Sequence, residues 1–260
     1  MAVINIKELI IKNISDFCVE KQIESMWKPP LVSTIPANHT QLPLLKKAVS
    51  SDHLLPEDLL SDAKSVIVIF IPFDDRIAKS NTVGETASEE WVLAYIYTNE
   101  LLNSLTKKLS MYLEDKGFRA EAIKATHNFN KETLISRWSH RHIAYLAGMG
   151  TFGINNMLIT QNGCCGRFSS LITNADLNVF GFSINYDICR DEKCLYKKNG
   201  SCGLCHKKCP SNAYNKEGVF DRHACYKLCL VNAEIYKNYG IADICGKCLV
   251  GLPCSSKSPV

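Results

Sequence analysis

The chain has 260 residues, 46% of them hydrophobic, with 30 Lys and Arg against 26 Asp and Glu for a formal charge of +4. That length can bury a full core, as one large domain or a medium one with a small appendage. Thirteen cysteines are too few for a small disulfide scaffold. The charge-broken N-terminus excludes a signal peptide, and no apolar run approaches a membrane span, so a cytoplasmic protein with no membrane attachment is expected.

In chain order, Ile6, Leu9, Ile10 and Ile14 follow helical spacing and predict an opening amphipathic helix. The stretch from Trp27 through Pro29, Pro30 and Val32 into the polar segment after it reads as irregular, because two prolines exclude a helix there. Leu54 to Ala63 is a short helix entered through Pro56. Ser65 to Ile71 is a continuous β-branched apolar run, the pattern of a strand covered on both faces. A polar loop spans Asp74 to Glu85. The segment from Ser88 to Asp115 places Trp91, Tyr95, Leu102, Leu105, Leu109 and Tyr112 at helical intervals and closes at Gly117. A strand through Phe118 to Lys124, a helix over Lys131 to Ala147, and strands at Asn156 to Thr160 and Phe168 to Thr173 follow, the last two around Gly163-Cys-Cys-Gly166. This order predicts an α/β (α+β) sandwich over residues 1–185 and a cysteine-rich lobe over 186–260.

Ten of the thirteen cysteines fall between Cys189 and Cys254. The centre reads Cys202-Gly-Leu-Cys205-His-Lys-Lys-Cys209-Pro210, and a second group reads Cys245-Gly-Lys-Cys248-Leu-Val-Gly-Leu-Pro-Cys254. A Cys-x2-Cys-x3-Cys-Pro run turns successive thiolates onto one iron–sulfur cubane, and in two-cluster ferredoxins the cysteine before the proline serves the other cluster. The usual first ligand position is Asn199, so the fourth thiolate must come from upstream: Cys194, with Cys189 as the second choice. Two [4Fe–4S] clusters are expected, one on Cys194, Cys202, Cys205 and Cys254, the other on Cys209, Cys225, Cys245 and Cys248, with Cys229 spare. A zinc ribbon would not use so many thiolates or the Cys-Pro ending. Residues 186–260 carry 12 Lys and Arg against 7 Asp and Glu. Two loaded clusters at about −2 each nearly cancel that excess, so it is weak evidence for nucleic acid.

Gly148-Met-Gly150-Thr-Phe-Gly153 matches the dinucleotide fingerprint in its letters alone. The fingerprint needs a strand before and a helix after, and here the order is reversed, which excludes the Rossmann reading. The three glycines admit either close backbone approach to a large flat ligand or a helix C-cap and tight turn. His127, His140 and His142 cluster with Arg137 and Arg141, groups able to relay protons and hold an anion, and Glu132 is the nearest carboxylate. Cys164 and Cys165 form a vicinal pair whose default role is packing.

Taken together, Ser139-His-Arg-His-Ile-Ala-Tyr-Leu-Ala-Gly-Met-Gly-Thr-Phe-Gly153, then Met157-Leu-Ile-Thr160, Gly166-Arg-Phe-Ser-Ser-Leu-Ile-Thr173 and the cysteine array resemble the epoxyqueuosine reductase family, over roughly residues 50–254. Cys225, preceded by Phe220-Asp-Arg-His-Ala, matches the lone cysteine which that family places between its cluster motifs. The resemblance implies a base-off cobalamin in an α/β domain related to flavin nitroreductases, beside a two-cluster ferredoxin-like lobe that feeds electrons to cobalt one at a time. Reductive dehalogenases share that arrangement. Ser139, His142, Gly148, Gly150 and Gly153 are then expected to face the cofactor, with His127, Glu132 or His140 as proton donor.

Two departures from the family stand out. Leu134 occupies the place of its general-acid aspartate, and the chain ends six residues after Cys254, without the helical extension that would help grip tRNA. The expected function is therefore an iron–sulfur oxidoreductase with a small-molecule or corrinoid-protein substrate and a redox partner such as ferredoxin or flavodoxin, tRNA not being expected. A ferredoxin-like carrier or corrinoid-protein activator without its own substrate site, and a flavin-dependent reductase, stay open as alternatives.

Overall fold

In chain order the elements of the computed structural model are α1 (Ile6–Lys21), β1 (Leu31–Pro36), α2 (Leu45–Ala48), α3 (Pro56–Leu59), β2 (Ser65–Pro72), α4 (Asp75–Ser80), α5 (Glu89–Glu114), β3 (Ala120–Ala122), α6 (His140–Leu146), β4 (Gly150–Phe152), β5 (Leu158–Thr160), β6 (Gly166–Thr173), α7 (Leu195–Asn199), α8 (Leu204–Lys207) and α9 (Arg222–Ile235). The structure describes residues 5–177, 191–215 and 217–260; Cys189 and the expected boundary at residues 185–186 lie outside them.

The apolar run of β2 forms the centre of the molecule because every one of its residues is buried. It pairs antiparallel with β1 on one side and β6 on the other, with Ile67 opposite Thr34 and Leu171, and β3 adds to the far edge of β6. Alternation sends Ile67, Ile69 and Ile71 to one face, where they join Trp91, Leu102, Leu105 and Leu109 of α5 and Ile6 and Ile10 of α1. Val66, Val68 and Phe70 face the other way and pack with Ile143 and Leu146 of α6 and with Trp138. A strand with helices on both faces has no room for a polar side chain, which is why its sequence does not alternate. The result is a mixed α/β sandwich on an antiparallel sheet.

The long helix starts where expected, with the Ser88 side chain accepting from the Trp91 N–H at 3.3 Å. Three stretches differ from expectation. β1 forms in the segment read as irregular: its prolines, Pro29 and Pro30, precede it, and Pro36 ends an edge strand, where the missing N–H costs no ladder bond. The helix expected over residues 131–147 shrinks to α6. Asn130 Oδ1 instead accepts from the Glu132 and Thr133 N–H groups at 2.8 and 3.0 Å, a local turn that competes with helix, and Leu134 sits at a φ of 54°. The polar loop after β2 contains α4, started by Asp74 accepting from the Arg76 N–H at 2.9 Å.

The cysteine-rich segment closes the same core instead of building its own. Cys194, Ala242, Leu249 and Val250 belong to one buried cluster with β2 and α5. Lys247, buried, donates from Nζ to Asn81 O at 2.9 Å and Val83 O at 2.6 Å, while Asn81 Nδ2 donates to Cys245 O at 2.9 Å. Gly246 presses directly on Trp91: at its φ of 76° an added Cβ would lie 2.4 Å from the indole. Among the described residues no helix is long and apolar enough to cross a membrane.

Candidate functional site

Cys194 ends the entry to α7, Cys202 and Cys205 flank Gly203 at the start of α8, and Cys254 comes from the last turn of the chain. These four cysteines line one cavity of about 350 Å³ of space between atoms, floored by Gly153 and Ile159 of the β4–β5 hairpin. Burial, together with the neighbouring sulfurs of Cys254, Cys194 and Cys202, pushes the Cys205 thiol up to about 12. The second group forms around Cys248, whose thiol is likewise pushed up to about 12 by burial and by the charges of Cys225, Cys245 and Cys209.

Cys229 lies one turn beyond Cys225 on α9, and the interaction of the two side chains pushes Cys229 up and Cys225 down. It therefore stands against the second group and not apart from it.

Crowded neutral thiols of this kind fit a cationic iron–sulfur core, because deprotonation onto metal removes the burial penalty and the mutual repulsion together. Among the described residues no three Cys, His, Asp or Glu side chains gather closely enough to hold a single metal ion. The sulfurs of the first group ring a cavity instead.

Between the two groups runs Cys248-Leu249-Val250, held in place by the vicinal cysteines. Cys165 Sγ lies 3.3 Å from Leu249 O, Cys164 N–H donates to Cys254 O at 3.0 Å, and Asn155 Nδ2 donates to Cys248 O at 3.0 Å. Cys164 and Cys165 are buried and serve as the seat of this segment.

A cleft opens on the other side of Leu249. Its empty space is about 1080 Å³, and its walls include Trp91, Tyr95, His127, Trp138, Ser139, His140, Arg141, Met157, Cys164, Arg167, Phe168 and Leu249. Aromatic and aliphatic walls with a few convergent polar groups are the chemistry of a small-molecule site. Of the expected proton donors, His127 stands on this cleft. Its Nε2 lies 3.0 and 3.1 Å from the carboxylate oxygens of Asp243, which also accepts from the Tyr95 hydroxyl at 2.7 Å. Burial is the main cause that holds the Tyr95 phenol above its usual range, and the Asp243 charge adds to it.

The chain does not mark Asp243 as functional. It sits two residues before Cys245 in a segment with no motif of its own, and only the fold brings it to His127, 116 positions away.

His140 also reaches the cleft wall, but both its nitrogens are used. Nε2 donates to Lys124 O at 3.1 Å and Nδ1 accepts from Ser170 Oγ at 2.8 Å, while Ser170 Oγ accepts from Trp138 Nε1 at 2.9 Å. Burial lowers its pKa to about 4. A neutral ring with both nitrogens engaged braces α6 against the sheet. Glu132 is exposed in the turn before α6 and is not among the residues lining the cleft.

The residues expected to face a cofactor divide in the same way. Ser139 lines the cleft and bonds His142 Nδ1 at 2.7 Å. His142 turns instead to Phe152, ring centroids 4.7 Å apart, and burial followed by the Arg141 charge lowers its pKa to about 4. Gly148, at a φ of 70°, ends α6. At Gly150 an added Cβ would lie 2.1 Å from Ile159 O across the hairpin, so this glycine makes room for β5. Gly153 floors the first cysteine cavity.

Comparison with solved structures places this architecture. An epoxyqueuosine reductase with a tRNA-Tyr epoxyqueuosine-modified stem loop superposes over 98% of this chain and 66% of its own, at 17% identity and a TM-score of 0.55. The Bacillus subtilis epoxyqueuosine reductase, with its catalytic loop swung out of the active site, matches over 98% and 67% with a TM-score of 0.54, and the Streptococcus thermophilus enzyme over 99% and 68% with 0.52, both at 17% identity. The chain has the epoxyqueuosine reductase fold. It spans about two thirds of the length of the solved epoxyqueuosine reductases it matches. No protein-family model and no curated protein sequence matches it.

Proposed function

We propose that this chain is an iron–sulfur oxidoreductase that passes electrons through two [4Fe–4S] clusters to a cobalamin in the aromatic cleft, for the reduction of a small molecule. The observation that carries the reading is the segment Cys248 to Cys254. It contributes Cys248 to one cysteine group and Cys254 to the other, while Leu249 between them lines the cleft. One stretch of backbone thus joins two thiol sets to one cavity, as a path for electrons requires.

Cys194, Cys202, Cys205 and Cys254 would hold the first cluster, and Cys209, Cys225, Cys245 and Cys248 the second. Bound cobalamin supplies a cobalt centre that accepts single electrons and becomes a strong reductant. The chain's own residues do the rest. Trp138, Met157, Phe168 and Leu249 give the cleft apolar walls that exclude water. His127, oriented by Asp243, delivers a proton from Nδ1 while the carboxylate holds Nε2. This pair takes over the task for which Leu134 is unsuited.

A cleft with aromatic walls and convergent polar groups supports an enzyme over a carrier without a substrate site of its own. Reducing equivalents come from a partner such as ferredoxin or flavodoxin, and the substrate is a small molecule or a corrinoid protein in place of tRNA. The aromatic lining supports a second reading, a flavin in the same cleft, for which a yellow chromophore released on denaturation is the sign. Anaerobic titration of the cluster-loaded protein with hydroxocobalamin tests the proposal. Saturable uptake of about one corrinoid per chain is expected; intact clusters with no corrinoid uptake would overturn it.

A further inference from the structure

The cleft holds a charge that electron transfer and proton delivery leave unused. Two guanidinium groups, Arg141 and Arg167, line it, and no Asp or Glu does. Arg141 is already engaged: Nη1 donates to Asn156 O at 2.5 Å and lies 3.2 Å from Met157 Sδ, and the Cys248 sulfur is among its electrostatic neighbours. A loaded second cluster, with its net negative charge, would be matched by this group.

Among the described residues Arg167 has no such partner. Its guanidinium carbon lies 4.5 Å from the centre of the Tyr95 ring, and its Nε is buried without a hydrogen-bond acceptor. Among the described residues no carboxylate comes within 4.0 Å of it, and Asp243 is taken by Tyr95 and His127. Arg167 is half-buried, with its Nε cut off from water and unpaired. A buried donor without an acceptor is costly, and the planar fork of a guanidinium matches a carboxylate in two parallel hydrogen bonds. The side chain is also well placed to hold a ligand firmly: it rises from β6, a central strand, and stacks on a ring that is itself bonded to Asp243.

We propose that the cleft takes a small carboxylate with an apolar body, its carboxylate paired with Arg167 and its body against Trp138 and Phe168. This rests on reading the cleft as the substrate site, and it adds the substrate's chemical class. The positive end sets the molecule's direction in the cleft, with Arg167 at one end and His127 available at the wall for the proton.

Trp91 and Trp138 both line the cleft, so intrinsic fluorescence reports occupancy. The anaerobic, corrinoid-free protein is titrated with benzoate, with benzamide as the neutral isostere and phenyl phosphate as the alternative anion. The expected result is saturable quenching by benzoate, weakened about ten- to hundred-fold in Arg167→Gln and partly retained in Arg167→Lys. Arg137→Gln, which removes an exposed group paired with Asp52 outside the cleft, should leave the titration unchanged.

Equal binding of benzamide, or unchanged benzoate affinity in Arg167→Gln, would overturn the proposal. Tighter binding of phenyl phosphate than benzoate would overturn the carboxylate assignment. Should Arg167→Gln fail to fold, the benzoate–benzamide contrast in the wild-type chain still decides. The absorbance of the same samples counts the clusters, so loss of the iron–sulfur reading and loss of the anion site are read separately.

Discussion

Acidification should destabilise this protein through His140 before most of its carboxylates protonate. The buried ring is held neutral by desolvation, with a pKa of about 4 in the fold, and its two nitrogens are bound to Lys124 O and Ser170 Oγ. In the unfolded chain the same ring titrates near ~6.5. Because the folded value is the lower one, the unfolded state binds the extra proton. The contribution of His140 is fully present above about pH 6.5 and is lost as the pH falls toward about 4.

At pH 5 about 97% of unfolded rings are protonated against about 9% of folded ones, which corresponds to a loss of about 2 kcal/mol relative to pH 7.5. His142, shifted in the same direction but only partly buried, adds a smaller loss of the same sign. Anaerobic urea unfolding at both pH values, on the wild-type chain and on His140→Gln, isolates the effect. The wild type should lose about 2 kcal/mol more than the variant between pH 7.5 and 5. An identical pH dependence in the two proteins would refute the assignment of His140 as a buried neutral brace.

Three further outcomes follow from the packing and the site. Gly246→Ala should cost more than about 2 kcal/mol and lower iron content, since its Cβ would meet Trp91 at 2.4 Å; Gly84→Ala, with a similar φ of 75° and nothing within 4 Å, should cost about 1 kcal/mol in thermal melts. Cys209→Ser should abolish the second cluster's electron paramagnetic resonance signal and spare the first, and loss of the first signal alone would contradict the division of ligands. Asp243→Asn should slow turnover by about ten- to hundred-fold, because His127 loses the carboxylate that orients its ring, whereas Tyr95→Phe, which leaves the His127–Asp243 pair in place, should slow it less.

The strong periodic signals were legible before folding. The run Ser65–Ile71 and the Leu102, Leu105, Leu109 spacing are one-dimensional records of burial on two faces and on one, and the structure places them at its centre. The missing cysteine at Asn199 predicts that a ligand comes from far along the chain, and the structure brings Cys194 and Cys254 to one cavity with Cys202 and Cys205. What the sequence concealed depends on long-range geometry. β1 owes its existence to the edge that β2 offers, while Pro29 and Pro30 just before it gave the stretch its irregular reading. The segment before α6 carries helix-forming spacing but follows Asn130, whose side chain captures the N–H groups that would have started the helix. Asp243 has no local pattern at all, and Arg167 lies in a strand segment that gives its side chain no role of its own. Each becomes informative only when Tyr95, from the middle of α5, is seen between them.

The most direct test of the account is a count of iron and spins on one sample. The chain is reconstituted anaerobically with iron and sulfide, then analysed for metal and reduced for electron paramagnetic resonance. The account predicts about eight irons per chain and two reducible [4Fe–4S] signals, falling to about four irons and one signal in Cys205→Ser and in Cys209→Ser alike. Four irons in the wild-type chain, or zinc in place of iron, would contradict it.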